Sequence, residues 1–227
     1  PGNKKISYFL KKIARYRIGI RRPGASDKKG DYLDIKTHPC LKWKHKVEDN
    51  LDVIKTIGIE TDNKKLDLYA TKRIDSFFRE NRISKKDFLV VIHAAPQHKS
   101  HEWIQDRFAL LADKLIEEYK AKIVFTGAIK DLEYNQEIID MMNHDAINYA
   151  GNSIQEFFAM IKRSDLVISV DTAAMHVAAG FDKKVIALFG AGNPRVWHPY
   201  CEDFKIIYKQ EIAHTRCWKH NCYLKGD

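Results

Sequence analysis

From Phe88 onward, apolar runs of strand length alternate with segments of helical period. That alternation is the signature of βα units, in which crossover helices cover a parallel sheet. It predicts a strand over 88–93 and a helix over about 106–119, with Phe108, Leu111, Leu115 and Tyr119 as the inward stripe. A strand over 122–126 ends at Gly127, followed by a helix over about 131–143 and a short strand near 147–149. Ser153-Ile154-Gln155-Glu156 has the letters of a capping box and opens a helix to about Arg163. An apolar strand over 166–170 leads through Asp171-Thr172 into a short Ala-rich helix, with Gly180 as its stop. A strand over 185–189 ends at Gly190, and 204–208 adds an edge strand.

Before residue 85 the pattern is thinner. It gives a basic helix, a strand over 16–20, a Pro/Gly/Asp/Lys-rich stretch over 21–30, and a helix over about 45–57. In that helix Val47, Leu51 and Ile54 share one face, and Gly58 stops it. The expected organisation is an incomplete α/β domain over 1–84 and a Rossmann-like α/β domain with a parallel sheet over 85–227.

With 227 residues, 44% of them hydrophobic, the chain can bury sizeable cores. Asp171 and His176 interrupt its best apolar stretch, short of the roughly 18 residues that a membrane span needs. The first residues lack the apolar core and cleavage site of a secretory signal, so the chain reads as cytoplasmic. Of the net charge of +9, residues 1–30 hold ten Lys and Arg against Asp27 alone, and the remainder is balanced. A nucleic-acid binder is expected to carry its basic stripe on its main folded surface. The local excess instead suits a phosphorylated lipid head group or peripheral contact with an anionic membrane, or simply a solvated helix face. Cys40, Cys201, Cys217 and Cys222 form no CxxC pair. Reduced thiols are the default, and His214 and His220 beside Cys217 and Cys222 keep a metal reading open.

Ligands of open α/β sheets bind beyond the carboxyl ends of the strands. There the sequence puts His93-Ala94-Ala95, Gly127, Asn152-Ser153, Asp171-Thr172 and Gly190-Ala191-Gly192. Asp171 and Thr172 stand where a helix N-cap stands, beside open N–H groups that attract anions, and His176 shares a helical face with Thr172. The plainer reading is that these residues cap and pack. No P-loop, complete dinucleotide fingerprint, His-Glu-x-x-His or Gly-x-Ser-x-Gly occurs, which removes most kinases, dehydrogenases, zinc proteases and serine hydrolases.

Asp-Thr-x-x-x-His after such a strand, followed by Val-Ile-Ala-Leu-Phe-Gly, resembles the nucleotide-sugar site of glycosyltransferase family 9, the ADP-heptose:lipopolysaccharide heptosyltransferases. Arg17-Ile18-Gly19, His45-x-Val47 and Ile57-Gly58 extend the resemblance over nearly the whole chain. It implies a GT-B-type fold and inverting, metal-independent transfer of a heptose-like sugar from an ADP-sugar to a lipopolysaccharide core acceptor, with no cofactor. Asp171, Thr172, Ala173 and His176 would then face the donor phosphates. Lys99, with Trp103, would stand for the family's Lys-x-Trp, at a longer spacing. Glu133 or Asp131 would hold ribose, unless both only favour a helix N-terminus, and Asn152 lies where backbone groups meet adenine. His93, Gly127 and Gly190 are supporting turns. Two departures are Ala94-Ala95 after His93, where the family has Pro-Gly, and Ala173, where it has Gly.

The resemblance further implies that the chain starts about 100 residues into the family pattern, on ordinary domain sizes. The family's general base, an Asp near its N-terminus, is therefore expected upstream, and Gly30-Asp31 is not assigned to that role. Two alternatives stay open: a GT-B transferase with another donor, such as a UDP-linked hexose derivative, and a basic nucleic-acid-binding protein using residues 1–30.

Overall fold

The computed structural model describes residues 13, 15–20, 35–37 and 44–209. The chain divides into two compact units between Lys64 and Lys65. The basic first residues, the 21–30 stretch, Gly30-Asp31, Cys40 and the Cys217–Cys222 region with His214 and His220 lie outside the described residues.

In the first unit, β1 (Ile18–Ile20) and β2 (Ile35–Thr37) pair in parallel, Ile18 opposite Ile35. Helix α1 (Lys46–Lys55) starts at His45, whose Nδ1 accepts a hydrogen bond from the Val47 amide at 3.1 Å. It is stopped at Gly58, whose φ of +79° is costly for any residue with a Cβ. Val47, Leu51 and Ile54 are half-buried.

The second unit is built on six parallel strands. They are β3 (Leu89–His93), β4 (Lys122–Phe125), β5 (Ile147–Asn148), β6 (Leu166–Val170), β7 (Lys184–Phe189) and β8 (Phe204–Tyr208). Their order is β5-β4-β3-β6-β7-β8, and each pairs with its neighbour in parallel. Around them lie α2 (Asp75–Glu80), α3 (Gln105–Tyr119), α4 (Leu132–Asp140), α5 (Ile154–Arg163), α6 (Ala173–Gly180) and α7 (Pro194–Trp197).

Strand side chains alternate between faces, so a sheet covered on both sides needs apolar residues at every position. Leu89 and Val91 pack with Met160 and Ile161 of α5 and with Met175 and Ala178 of α6. Val90 and Ile92 pack with Phe108 and Ala112 of α3 and with Ile138 of α4. This explains why the strands read as unbroken apolar runs.

Three expectations are corrected. The second unit begins at Lys65 rather than at residue 85, because Ile74 and Ile83 are buried in the same cluster as Leu89 and Val91. The segment carrying them is too short and irregular to show a helical or strand period. The helix expected over 131–143 is a 3₁₀ turn, Ile129–Asp131, followed by α4, which ends at Asp140. Gly180 does not stop α6 by its backbone freedom. The left-handed residue is Asp182, φ +53°, and a Cβ on Gly180 would lie 2.5 Å from Leu68 Cδ1. The Ser153–Glu156 capping box forms as read, with Ser153 N donating to Glu156 Oε2 at 2.9 Å.

Candidate functional site

The strand order reverses direction between β3 and β6, and the carboxyl ends at such a switch point open the crevice where ligands bind. His93 closes β3 opposite Ser169 of β6, and Asp171 follows β6 directly. The switch point therefore brings the turns after β3 and β6 side by side.

Asp171 is held from two sides. Its Oδ2 lies 3.3 Å from Nδ1 of His101, and the two side chains are only 12% and 22% exposed. The hydrogen bond to Asp171 raises the His101 pKa above the ordinary imidazole value; burial opposes the shift and the Asp171 charge adds to it. From the other side the turn after β7 closes in. A Cβ on Gly192 would overlap Asp171 Oδ2, and one on Gly190 would stand 2.5 Å from the Ser100 carbonyl oxygen. The same oxygen accepts the Ala191 amide at 3.1 Å. Three loops thus interlock, and at Gly190 any side chain would meet backbone.

Thr172 caps α6 in extended conformation but makes no side-chain cap bond, so the first-turn N–H groups of α6 remain open to an anion. Its Oγ1 instead lies 3.0 Å from Ser169 Oγ, which itself bonds Val170 O at 2.7 Å. A hydroxyl has one proton to give. With Ser169 donating to Val170, Thr172 donates to Ser169 and must rotate before it can serve a phosphate. Ala173 is exposed and already helical, where an extra methyl costs little. His176 is half-buried, its ring 6.4 Å from that of Trp197 on α7.

Lys99 opens the 3₁₀ turn Lys99–His101 and is exposed. The position two residues before Trp103, which a Lys-x-Trp pattern gives to lysine, is occupied by His101. Residue type points to Lys99, and spacing from Trp103 points to His101. His93 is held by Thr126 Oγ1 at 3.3 Å, and burial pushes its pKa down to about 4 against the opposing charge of Asp131. At neutral pH it is a neutral hydrogen-bonding group rather than a cation.

Around β4 and β5, two of the three side chains expected to hold a nucleoside bond to their own turns. Asp131 Oδ2 accepts the Ala128 amide at 2.8 Å, and Asn152 Nδ2 donates to Tyr149 O at 3.0 Å. Glu133 is exposed in the first turn of α4, where the helix dipole favours it. Gly127 is fixed by contact, since a Cβ there would stand 2.8 Å from Asp131 Cβ, and its carbonyl accepts the Gly151 amide at 3.0 Å. Sequence reading missed the apolar pair beside Gly151. Ile129 is 69% and Leu132 36% exposed, and both approach Gly151, whose φ is +84°. Two exposed aliphatic residues bracketing Asp131 are the signal that could have found them. Among the described residues no group of three or more His, Cys, Asp or Glu is placed to hold a metal ion, and no helix is long and apolar enough to cross a membrane.

The strand order and the loops gathered at its switch point define a Rossmann-like α/β domain of the GT-B kind. The model of glycosyltransferase family 9 (heptosyltransferase) matches residues 5–226, and the chain belongs to that family. It is 31% identical over 166 residues to lipopolysaccharide heptosyltransferase 3 of Escherichia coli K12, covering 70% of this chain and 48% of the relative. With lipopolysaccharide heptosyltransferase 2 of Salmonella typhimurium LT2 it shares 29% identity over 110 residues, 46% of this chain and 31% of the relative. The chain thus spans half or less of the length of these relatives. E. coli ADP-heptose lps heptosyltransferase II superposes with a TM-score of 0.75 at 20% identity, covering 91% of this chain and 66% of that one. E. coli heptosyltransferase WaaC with ADP gives a TM-score of 0.59 at 20% identity, covering 77% and 53%. Both likenesses establish the fold.

Proposed function

We propose that this chain binds an ADP-heptose donor for inverting, metal-independent transfer of heptose to a lipopolysaccharide core acceptor. One observation carries the reading. At the switch point Asp171, the uncapped start of α6 and the Gly190–Gly192 turn converge, with glycine wherever loops would otherwise collide. In such a transfer the diphosphate leaves with increased negative charge, and preorganised N–H donors and cations that meet that charge lower the barrier. The first-turn N–H groups of α6 and, after rotation, the Thr172 hydroxyl are the donors here. The exposed side chains of Ile129 and Leu132, in the segment between β4 and β5, offer apolar surface to a base. Membership of family 9, the ADP-heptose named for one solved relative and the lipopolysaccharide named for the curated ones support donor and acceptor. The basic first thirty residues suit a cytoplasmic chain that meets the anionic inner leaflet where such an acceptor is anchored. No general base is assigned.

Calorimetry without divalent metal tests this. The chain is expected to bind ADP and to prefer it to UDP, and Asp171→Ala with Thr172→Ala is expected to weaken ADP binding about tenfold or more, because the Thr172 hydroxyl is lost and His101 loses the carboxylate that keeps it charged. Unchanged affinity in the double variant removes the site, and preference for UDP changes the donor.

A further inference from the structure

Resting on that donor-site reading, we propose that His101 is a positioning residue for the donor diphosphate: its imidazolium cancels the Asp171 carboxylate beside the open start of α6, so that donor binding is gated by proton uptake at His101.

The difficulty that His101 resolves is electrostatic. A carboxylate only 12% exposed stands directly before the helix whose N–H groups are to meet an anion. Left unpaired, it repels a diphosphate through a medium of reduced dielectric. The turn after β7 lies close on its other side, where a Cβ on Gly192 would overlap Asp171 Oδ2. The partner supplied is an imidazole at 3.3 Å, not a permanent cation. Its own placement is rigid: the preceding carbonyl, of Ser100, is clamped by the Ala191 amide and by the bare Cα of Gly190.

The groups facing His101 can be named element by element. Asp171 comes from the β6–α6 turn, and His98 from its own turn, with ring centroids 6.1 Å apart. The Gly190–Pro194 stretch brings nothing ionisable. Glu102, next in sequence, accepts the Tyr134 hydroxyl at 3.3 Å, Lys99 is exposed, and His176 sits with Trp197. Asp171 is thus the charge that sets the His101 proton, in keeping with the raised pKa. The neutral His93 nearby cannot substitute for it.

The test measures ADP affinity by calorimetry from about pH 5.5 to about pH 8.5, the range over which an imidazole changes charge. Wild type, His101→Gln and His101→Lys are compared, with adenosine as a ligand lacking phosphate. Wild type is expected to lose about tenfold in ADP affinity across the range, one charge–charge interaction at partial burial. His101→Gln is expected to bind weakly with a shallow profile, and His101→Lys tightly with an equally shallow one. The ionisation of ADP itself, near pH 6, is common to all three and cancels in the comparison. Adenosine affinity is expected to depend on neither pH nor residue 101. Parallel ADP profiles in wild type and His101→Gln overturn the role of His101 while leaving the donor site standing. Absence of ADP binding in every variant at every pH overturns the donor-site reading, and this proposal with it. Unfolding curves for each variant at both ends of the range identify any loss of affinity that follows from loss of fold.

Discussion

Two histidine–carboxylate pairs in the second unit are built differently. Asp113 on α3 is 4% exposed and receives four kinds of donor from one turn: the amide and side chain of Asn143 at 2.9 and 3.0 Å, and the amide and Nδ1 of His144, each at 3.1 Å. Asp171 at the switch point has His101 at 3.3 Å, and its other side faces glycine. Burial alone would raise the Asp113 pKa, yet the bonds from Asn143 and His144 outweigh it and the net shift is downward. The first carboxylate is saturated by the turn it holds; the second has one histidine beside it and spare acceptor capacity. Saturation, more than burial or the presence of a histidine, distinguishes the two pairs.

The largest effect expected from breaking this contrast is on Asp113. Asp113→Ala removes the hydrogen bonds that Asn143 and His144 make to one buried carboxylate, which costs about 3 kcal/mol. Urea unfolding at neutral pH reads the loss, while ADP affinity stays within about twofold, a difference of less than 0.5 kcal/mol. The pH dependence has a definite sign. A carboxyl whose folded pKa lies below the unfolded value of about 3.9 stabilises above that value, and the contribution is lost as pH falls through the folded pKa. The variant should therefore unfold less steeply below about pH 4 than wild type. Equal acid limbs would mean that the Asn143–His144 turn does not depend on this carboxylate.

Regions differ in how much of them the sequence disclosed, for a physical reason. The strands β3, β4, β6 and β7 were legible because a sheet covered on both faces demands unbroken apolar runs, and the Ser153–Glu156 box because capping is local. Strand order was not legible: the crossovers that place β6 beside β3 leave no local mark. Gly180 was misread because its requirement, the approach of Leu68, comes from more than a hundred residues away. The turns after β3, β6 and β7 were legible as turns through their position after strands, whereas the contact of His101, rather than Lys99, with Asp171 was not. Charge type is visible in a sequence, but the direction of a side chain leaving a 3₁₀ turn is set by what the turn packs against. The turn bonds of Asp131 and Asn152 were not legible for a related reason, since bonding to one's own backbone three residues away looks the same in sequence as being free to bind.

An intermediate effect is expected where the loops lock. Gly190→Ala drives a methyl to 2.5 Å from the Ser100 carbonyl, a backbone atom already committed to the Ala191 amide. Neither can swing aside, so the variant should lose about 2 kcal/mol by thermal unfolding, within the range for overpacking. ADP affinity should fall as the His101 turn moves away from Asp171. A variant as stable as wild type and equal to it in ADP affinity would show that the two turns are not clamped.

The smallest change in stability should come from the neighbouring glycine, and it separates the two pairs most sharply. In Gly192→Ala the added methyl meets the end of a carboxylate, which can rotate where a backbone carbonyl cannot. The cost at high pH should stay below about 1 kcal/mol. Rotation takes Asp171 off His101, and the His101 pKa, raised in the wild type by that bond, should fall toward about 6.5, as followed by NMR of the imidazole protons. The linkage fixes where stability responds. A histidine whose folded pKa is raised stabilises fully below its unfolded value, and that contribution disappears as pH climbs through the folded one. Gly192→Ala should therefore be less stable than wild type below about pH 6.5 and converge with it above the folded pKa of His101, while the Asp113 pair, with its own donors intact, titrates as before. A His101 pKa unmoved by this methyl would show that Asp171 is held as firmly as Asp113, and the distinction between a saturated carboxylate and an available one would no longer separate the two sites.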